Sequence, residues 1–287
     1  MRVLCVGLAT VDVQYLVDDL PIRNKKIKTE APLVAMGGPA TNAALLCSHL
    51  GDTVELVTAF GHNGFCDSFD REMNQFGVRV HDWMSGKEFM PILASIFTYR
   101  DNGDRSIVSS LPSCSNENFH NLNLSDAKWD AILVDGFYMS HSERLLRGSY
   151  ADSTPVVLDG GSWKEGMDQL LPYINIAICS EDFLPPGCSN IEDVRRYLFQ
   201  FSNIQKVVIT RGDNPLVWYD GEEEGQMCIE NVDVKDTLGA GDFFHGAFVF
   251  YITKYPFVEA LQKAATVATS SCKCFGTRDW LIELSKN

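Results

Sequence analysis

Two aspartates, Asp236 and Asp242, bracket the small residues Gly239, Ala240 and Gly241 in the stretch DTLGAGD (236–242). Glycine loses more backbone freedom on folding than any other residue, so such a cluster marks a backbone that takes an unusual shape or lets a ligand come close. An oily run follows, and Phe243, Phe244, Ala247, Phe248 and Tyr251 supply one apolar side of a predicted helix. The backbone N–H groups of residues 239–242 would then be free donors at a helix start, a ready site for an oxyanion. A carboxylate in the same turn adds a second chemistry. The amides would neutralise charge on a transferring phosphoryl group while Asp242 takes the proton from an attacking hydroxyl. Asp236 is placed to help order a magnesium shell. The plainer alternative makes Asp242 a helix-start carboxylate favoured by the helix dipole.

These groups need a scaffold. Short, continuous apolar runs recur at 3–8, 54–60, 131–137, 155–160, 176–180 and 206–211. Continuous rather than alternating apolar character suits strands covered on both faces, as in a parallel sheet. Helical patterns lie between many of them. PATNAALLCSHLG (39–51) has a proline near its start and a glycine at its end, and the patterns at 65–77 and 190–202 repeat the plan. This alternation predicts a doubly wound α/β sheet. Two segments break it. Residues about 10–34 and about 88–111 read as antiparallel strands with one wet face, the second turning at DNGD (101–104). Strands inserted in this way are expected to form a lid over the site, within one domain spanning 1–287.

Composition removes several function classes. A formal net charge of −14 repels nucleic acid and anionic lipid. No apolar run approaches the ~18 residues a membrane span needs, and the N-terminus reads as a first strand rather than a signal peptide, so a cytoplasmic location is expected. The nine cysteines, Cys114 among them, include no C-x-x-C pair. They are expected to be buried free thiols in a reducing compartment. The chain has no G-x-x-x-x-G-K-[ST] loop, no G-x-G-x-x-G after the first strand and no G-x-S-x-G elbow, which sets aside P-loop, nicotinamide and hydrolase chemistries.

DTLGAGD (236–242) resembles the D-T-x-G-A-G-D signature of the ribokinase-like (PfkB) carbohydrate kinases without departure. MGGPATNAA (36–44) is similar to that family's N-terminal signature, and the order of elements agrees to about residue 275. The resemblance implies a Rossmann-like α/β/α sandwich with a small β-sheet lid, and ATP-dependent phosphorylation of a sugar hydroxyl with Mg2+. It implies Asp242 as catalytic base and Gly239, Ala240 and Gly241 as the anion hole. It places Asp12, Gly38 and Asn42 against the sugar, whose hydroxyls need several fixed hydrogen-bond partners.

Further positions follow by the same resemblance. Thr210 and Gly212 in TRG border the nucleotide, Glu181 in CSEDFL organises magnesium, and Gly276 stands near the adenine. The family's asparagine three residues before that glutamate is absent, since Ile178 holds its place. The family's long C-terminal loop for a monovalent cation is also not matched. Arg105 is expected to reach the substrate from the lid, and Lys164 and Arg211 to meet phosphates. Each of these five side chains, Glu181 and Thr210 included, has an ordinary reading as a loop residue or solvated charge. A ketose or related monosaccharide, with an acidic substituent suggested by Arg105, is the expected acceptor. A nucleoside kinase is the runner-up because the lid carries Tyr15, Phe89, Phe97 and Tyr99. A non-catalytic sugar- or nucleotide-binding regulator is the third reading. The lid's exposed face implies a homodimer.

Overall fold

The computed structural model describes residues 1–110, 119–122, 124, 127–149 and 154–284. The expected thiol Cys114 and the last residue of the second lid segment, Leu111, lie outside the described residues.

Seven parallel strands form the body: β1 (Arg2–Val6), β4 (Thr53–Thr58), β5 (Arg79–Asp82), β8 (Ala131–Val134), β9 (Val156–Gly160), β10 (Ile176–Ser180) and β11 (Lys206–Arg211). An antiparallel hairpin, β12 (Asn214–Asp220) and β13 (Glu223–Met227), extends the β11 edge, giving the order β13-β12-β11-β10-β9-β8-β1-β4-β5. The continuous apolar runs have a simple cause. Alternate residues point to opposite faces, and both faces are covered. Val3 and Cys5 join one core, while Leu4 and Val6 join the other. The first core also holds side chains of α1 (Pro39–His49), α2 (Cys66–Gln75), α5 (Ala240–Ile252), α6 (Phe257–Ser271) and α7 (Asp279–Leu284). The second holds those of α3 (Met139–Ser149) and α4 (Ile191–Leu198).

The alternation is not complete. Between β9 and β10 the chain makes only two short 3-10 turns, Met167–Gln169 and Leu171–Tyr173. Their buried Met167, Leu170 and Leu171 fill the space of a helix.

The inserted segments form a second sheet, in the order β3-β2-β6-β7, from β2 (Thr10–Val17), β3 (Leu33–Gly37), β6 (Ile92–Tyr99) and β7 (Arg105–Ser109). Each hairpin is antiparallel, as expected, but they join in parallel through β2 and β6. Residues 18–32 are turn-rich loop rather than strand. The wet face is also more apolar than expected, since Val34 and Val108 are 58% and 66% exposed. The eight described cysteines are free, but only Cys5, Cys47 and Cys179 are buried, and Cys228 is exposed.

Candidate active site

Helix α5 begins where the glycines require. Gly239 caps it with φ 75°, a left-handed conformation that costs glycine little. The N–H groups of Gly239, Gly241 and Asp242 meet no acceptor among the described residues, and a side chain added at Gly241 would point into open space. These amides therefore form a cluster of donors without a protein acceptor among the described residues, at the positive end of a 13-residue helix.

Asp242 lies in the first turn, half-buried. Its Oδ2 accepts a hydrogen bond from Asn42 Nδ2 at 2.7 Å. A close helix crossing brings the two together: a Cβ added at Gly246 would lie 2.8 Å from the Ala43 backbone, so only glycine lets α5 sit this near α1. Burial pushes the Asp242 carboxyl up to about 7, and the negative Asp159 adds to the rise. Asn42, His245 and Arg105 oppose it. Asp159, the penultimate residue of β9, has an Oδ2 that is buried and receives no hydrogen bond. His245, one turn along α5, approaches that oxygen at 3.4 Å.

Asp12 reaches the same region from lid strand β2. Thr10 Oγ1 donates to its Oδ1 at 2.6 Å, and a Cβ at Gly37 would fall 1.9 Å from its Oδ2. The first glycine of the GG pair thus makes room for a carboxylate. Its neighbour Gly38 begins α1 with φ 99°. Burial raises the Asp12 carboxyl, against the hydrogen bond from Thr10 and the charge of Arg278. Asp135, absent from the expected residues although it directly follows β8 in VDGF, is buried and accepts N–H bonds from Leu8 (2.8 Å), Ala40 (3.2 Å) and Phe137 (3.0 Å). Burial pushes it up to about 6. It holds the ends of β1 and β8 to the start of α1.

One expectation needs correction. Asp236 faces no open cleft. It is buried, and its oxygens accept from Leu238 N (2.9 Å), Gly276 N (2.8 Å) and Gln14 Nε2 (2.5 Å), with Thr98 Oγ1 at 3.5 Å. Gln14 and Thr98 come from the lid, so this carboxylate ties lid, signature loop and C-terminal segment together, and N–H donors occupy the positions a metal would need. Gly276, expected near adenine, is buried, and a Cβ there would meet Leu33 of the lid at 2.5 Å.

Arg105 extends from β7 toward the signature loop, donating to Thr237 Oγ1 (2.7 Å) and Thr237 O (3.2 Å). Gly103 O in the preceding turn accepts from Thr237 N and Oγ1. The hairpin turn thus rests directly on the loop that starts α5.

The remaining expected residues sit at or just beyond the carboxyl ends of strands, where open α/β sheets bind ligands. Lys164, after β9, donates to Ser162 O (3.3 Å), approaches Asp135 O (3.5 Å) and lies 4.5 Å over the Phe137 ring. Thr210 ends β11 beside β10, its Oγ1 3.4 Å from Cys179 O. Gly212 is in the exposed turn to β12. Arg211 contacts Pro215 O at 3.4 Å. Glu181, just after β10, is exposed, with its N–H bonded to Thr210 O. Among the described residues no three His, Cys, Asp or Glu side chains converge as a metal cage. One exposed hard oxygen donor without a cage suits magnesium, which keeps several waters and is carried by substrate phosphates. Arg278 and Glu72 gave no sequence signal. The Arg278 guanidinium bonds Asn42 Oδ1 (3.0 Å) and Glu72 (2.5 Å).

The chain is similar to known proteins over most of its length. The pfkB family carbohydrate kinase model matches residues 1–283. A ketohexokinase of Mus musculus is 24% identical, aligned over 94% of this chain and 96% of its own length. An adenosine kinase of Saccharomyces cerevisiae is 26% identical over 78% of this chain and 73% of its own. The structure of Arabidopsis thaliana ribokinase complexed with ribose and ATP superposes with a TM-score of 0.76 at 20% identity, covering 100% of this chain and 98% of that one. With a lid sheet docked on the loop that opens α5, and a family match running from the first residue to 283, the chain belongs to the pfkB carbohydrate kinases, enzymes that transfer phosphate from ATP to a hydroxyl of a sugar or nucleoside.

Proposed function

We propose that the acceptor is a hydroxyl of a ketose or related monosaccharide, with Asp242 as general base and the amides of residues 239–242 as anion hole. One observation carries the reading: a half-buried carboxylate pushed up to about 7 stands in the same turn as N–H donors that meet no protein acceptor among the described residues. A base with a pKa near the working pH is the most effective one, and fixed amides stabilise the charge that moves onto the transferring oxygens. In this reading the sugar lies between Asp242 and the lid. Asp12 and Asn42 bind its hydroxyls, and Gly38 keeps the start of α1 close to it. The hydroxyl proton passes to Asp242 as the oxygen bonds to the γ-phosphorus of ATP and the bond from that phosphorus to the ADP oxygen breaks, releasing ADP. Lys164, Thr210 and Gly212 flank the nucleotide, Arg105 supplies positive charge beside the signature loop, and the lid excludes water that would compete as acceptor. Glu181 would hold Mg2+ through water, and the ion when bound would neutralise phosphate charge.

The lid supports a sugar over a nucleoside. Tyr15 and Phe97 stack on each other with centroids 5.6 Å apart. They alternate with Gln14 and Thr98, which point at Asp236, so they belong to the outer face. Phe89 is in the core and Tyr99 bonds Ser106. None of the four is free to stack on a base over the site. The outer face, with Val13, Val34, Val108 and Leu93, is uncharged and matches a second copy of itself, which supports a homodimer through the lid.

The test is ADP release from ATP and Mg2+ with panels of ketoses, aldoses, sugar acids and nucleosides. Turnover with a ketose, lost in Asp242→Asn, is expected. Turnover with nucleosides alone would refute the sugar assignment, and no ADP release on any panel would favour a binding regulator.

A further inference from the structure

Asn42 stands between two side chains that leave its amide a single orientation. Arg278 Nη1 donates to its Oδ1 at 3.0 Å, and its Nδ2 donates to Asp242 Oδ2 at 2.7 Å. A guanidinium has five N–H donors and no acceptor, so only the amide oxygen can face it. The NH2 end is thereby turned to Asp242.

Arg278 is itself held from three sides. Its Nε donates to Glu72 Oε1 at 2.5 Å, its Nη2 to Met36 O, and its Nη1 also to Thr277 O at 3.1 Å. Glu72 Oε2 accepts from Met36 N at 3.0 Å. The side chains of this ion pair are 18% and 17% exposed, so water screens them little. Between them they hold both backbone polar groups of Met36, the penultimate residue of lid strand β3.

We propose that Arg278 is a positioning residue for the reacting base: by pinning the Asn42 oxygen it keeps the amide from turning to serve a protonated Asp242, and through Met36 it ties that alignment to the lid. The proposal rests on Asp242 being the base. A free asparagine can satisfy either form of a carboxyl, offering NH2 to the carboxylate or C=O to the acid. A pinned one can only donate, and that bond is stronger to the carboxylate than to the carbonyl of the acid. Arg278 therefore favours the form of Asp242 that can accept a proton. The other titratable groups facing Asp242 are Asp159 near the end of β9, His245 on α5 and Arg105 on β7. None of them is altered by substitution at 278.

Infrared difference spectroscopy can titrate the Asp242 carboxyl directly, its band identified by loss in Asp242→Asn. Arg278→Met is expected to raise the midpoint by about one pH unit, the scale of one hydrogen bond to a charged group. The acid limb of kcat/KM should move with it, and kcat should fall more than KM rises. Arg278→Lys, which keeps the positive charge and N–H donors without the planar fork, should restore part of the shift. In an Asn42→Ala background, Arg278→Met should add nothing, the signature of action through Asn42. An unmoved midpoint in Arg278→Met, or an equal shift with and without Asn42, overturns the proposal. A staple without positioning would lower Tm and leave the midpoint in place. If Arg278→Met does not fold, Arg278→Lys decides by the same criterion. The infrared titration needs no turnover, so a chain that phosphorylates nothing would defeat the kinase assignment of Asp242 while still giving a result for Arg278.

Discussion

Replacing Asp242 by asparagine should cost activity and add stability. The folded chain holds this carboxyl near 7, against an unfolded value near 3.8. As pH rises, the unfolded chain releases its proton first. Between about pH 4 and 7 the folded state binds more protons than the unfolded one, so the group's contribution favours folding at low pH and is lost as pH rises. A tenfold change in proton affinity corresponds to about 1.4 kcal/mol. The whole rise would then amount to about 4 kcal/mol, and the partial exposure of Asp242 reduces this to about 2. Asp242→Asn removes that penalty while an amide oxygen can still accept from Asn42. At pH 8 the variant should melt about 4 °C above wild type, and at pH 4 the two should coincide. Turnover, followed as ADP release, should fall about 10³-fold through loss of the general base. A variant that melts below wild type at pH 8, or a difference independent of pH, would refute the reasoning about this carboxylate. Near-normal turnover would remove its catalytic role.

Three other substitutions probe separate parts of the argument. Gly37→Ala puts a methyl where the Asp12 carboxylate lies. It should raise KM for the sugar at least about tenfold, with a KM for ATP near wild type, since one misplaced hydrogen-bond partner costs on the order of 1–3 kcal/mol. An unchanged sugar KM would separate Asp12 from the substrate. Asp236→Ala strands the buried donors of Leu238, Gly276 and Gln14, so urea unfolding should show a loss of about 3 kcal/mol, with an unchanged magnesium requirement in the remaining activity. A raised magnesium requirement at full stability would restore the metal role. Val108→Asp places a charge on the outer lid face and should convert a dimer to a monomer by light scattering. A wild-type monomer would remove the dimer.

The chain order of residues announced the signature loop, the two-faced strands and the lid, because these depend on local properties. A left-handed Gly239 followed by an apolar helical stripe needs no distant partner to be recognised. Val3 to Val6 read as a strand covered on both faces because alternate residues enter two cores. The hairpin at 101–104 was legible from its turn residues alone. What a carboxylate does was less legible. Asp236 and Asp242 belong to one short motif, yet one serves as a buried acceptor for the lid and the C-terminal segment, and the other stands beside free amides. The packing of Gly276 against Leu33 was not legible, since the C-terminal segment and the lid are far apart in the chain. Arg278 was silent, since its partners Asn42, Glu72 and Met36 lie more than 200 residues earlier. Local sequence specifies backbone shape through sterics and periodicity. The partner of a charge, and hence its proton affinity and role, is chosen only when distant segments meet in the folded chain.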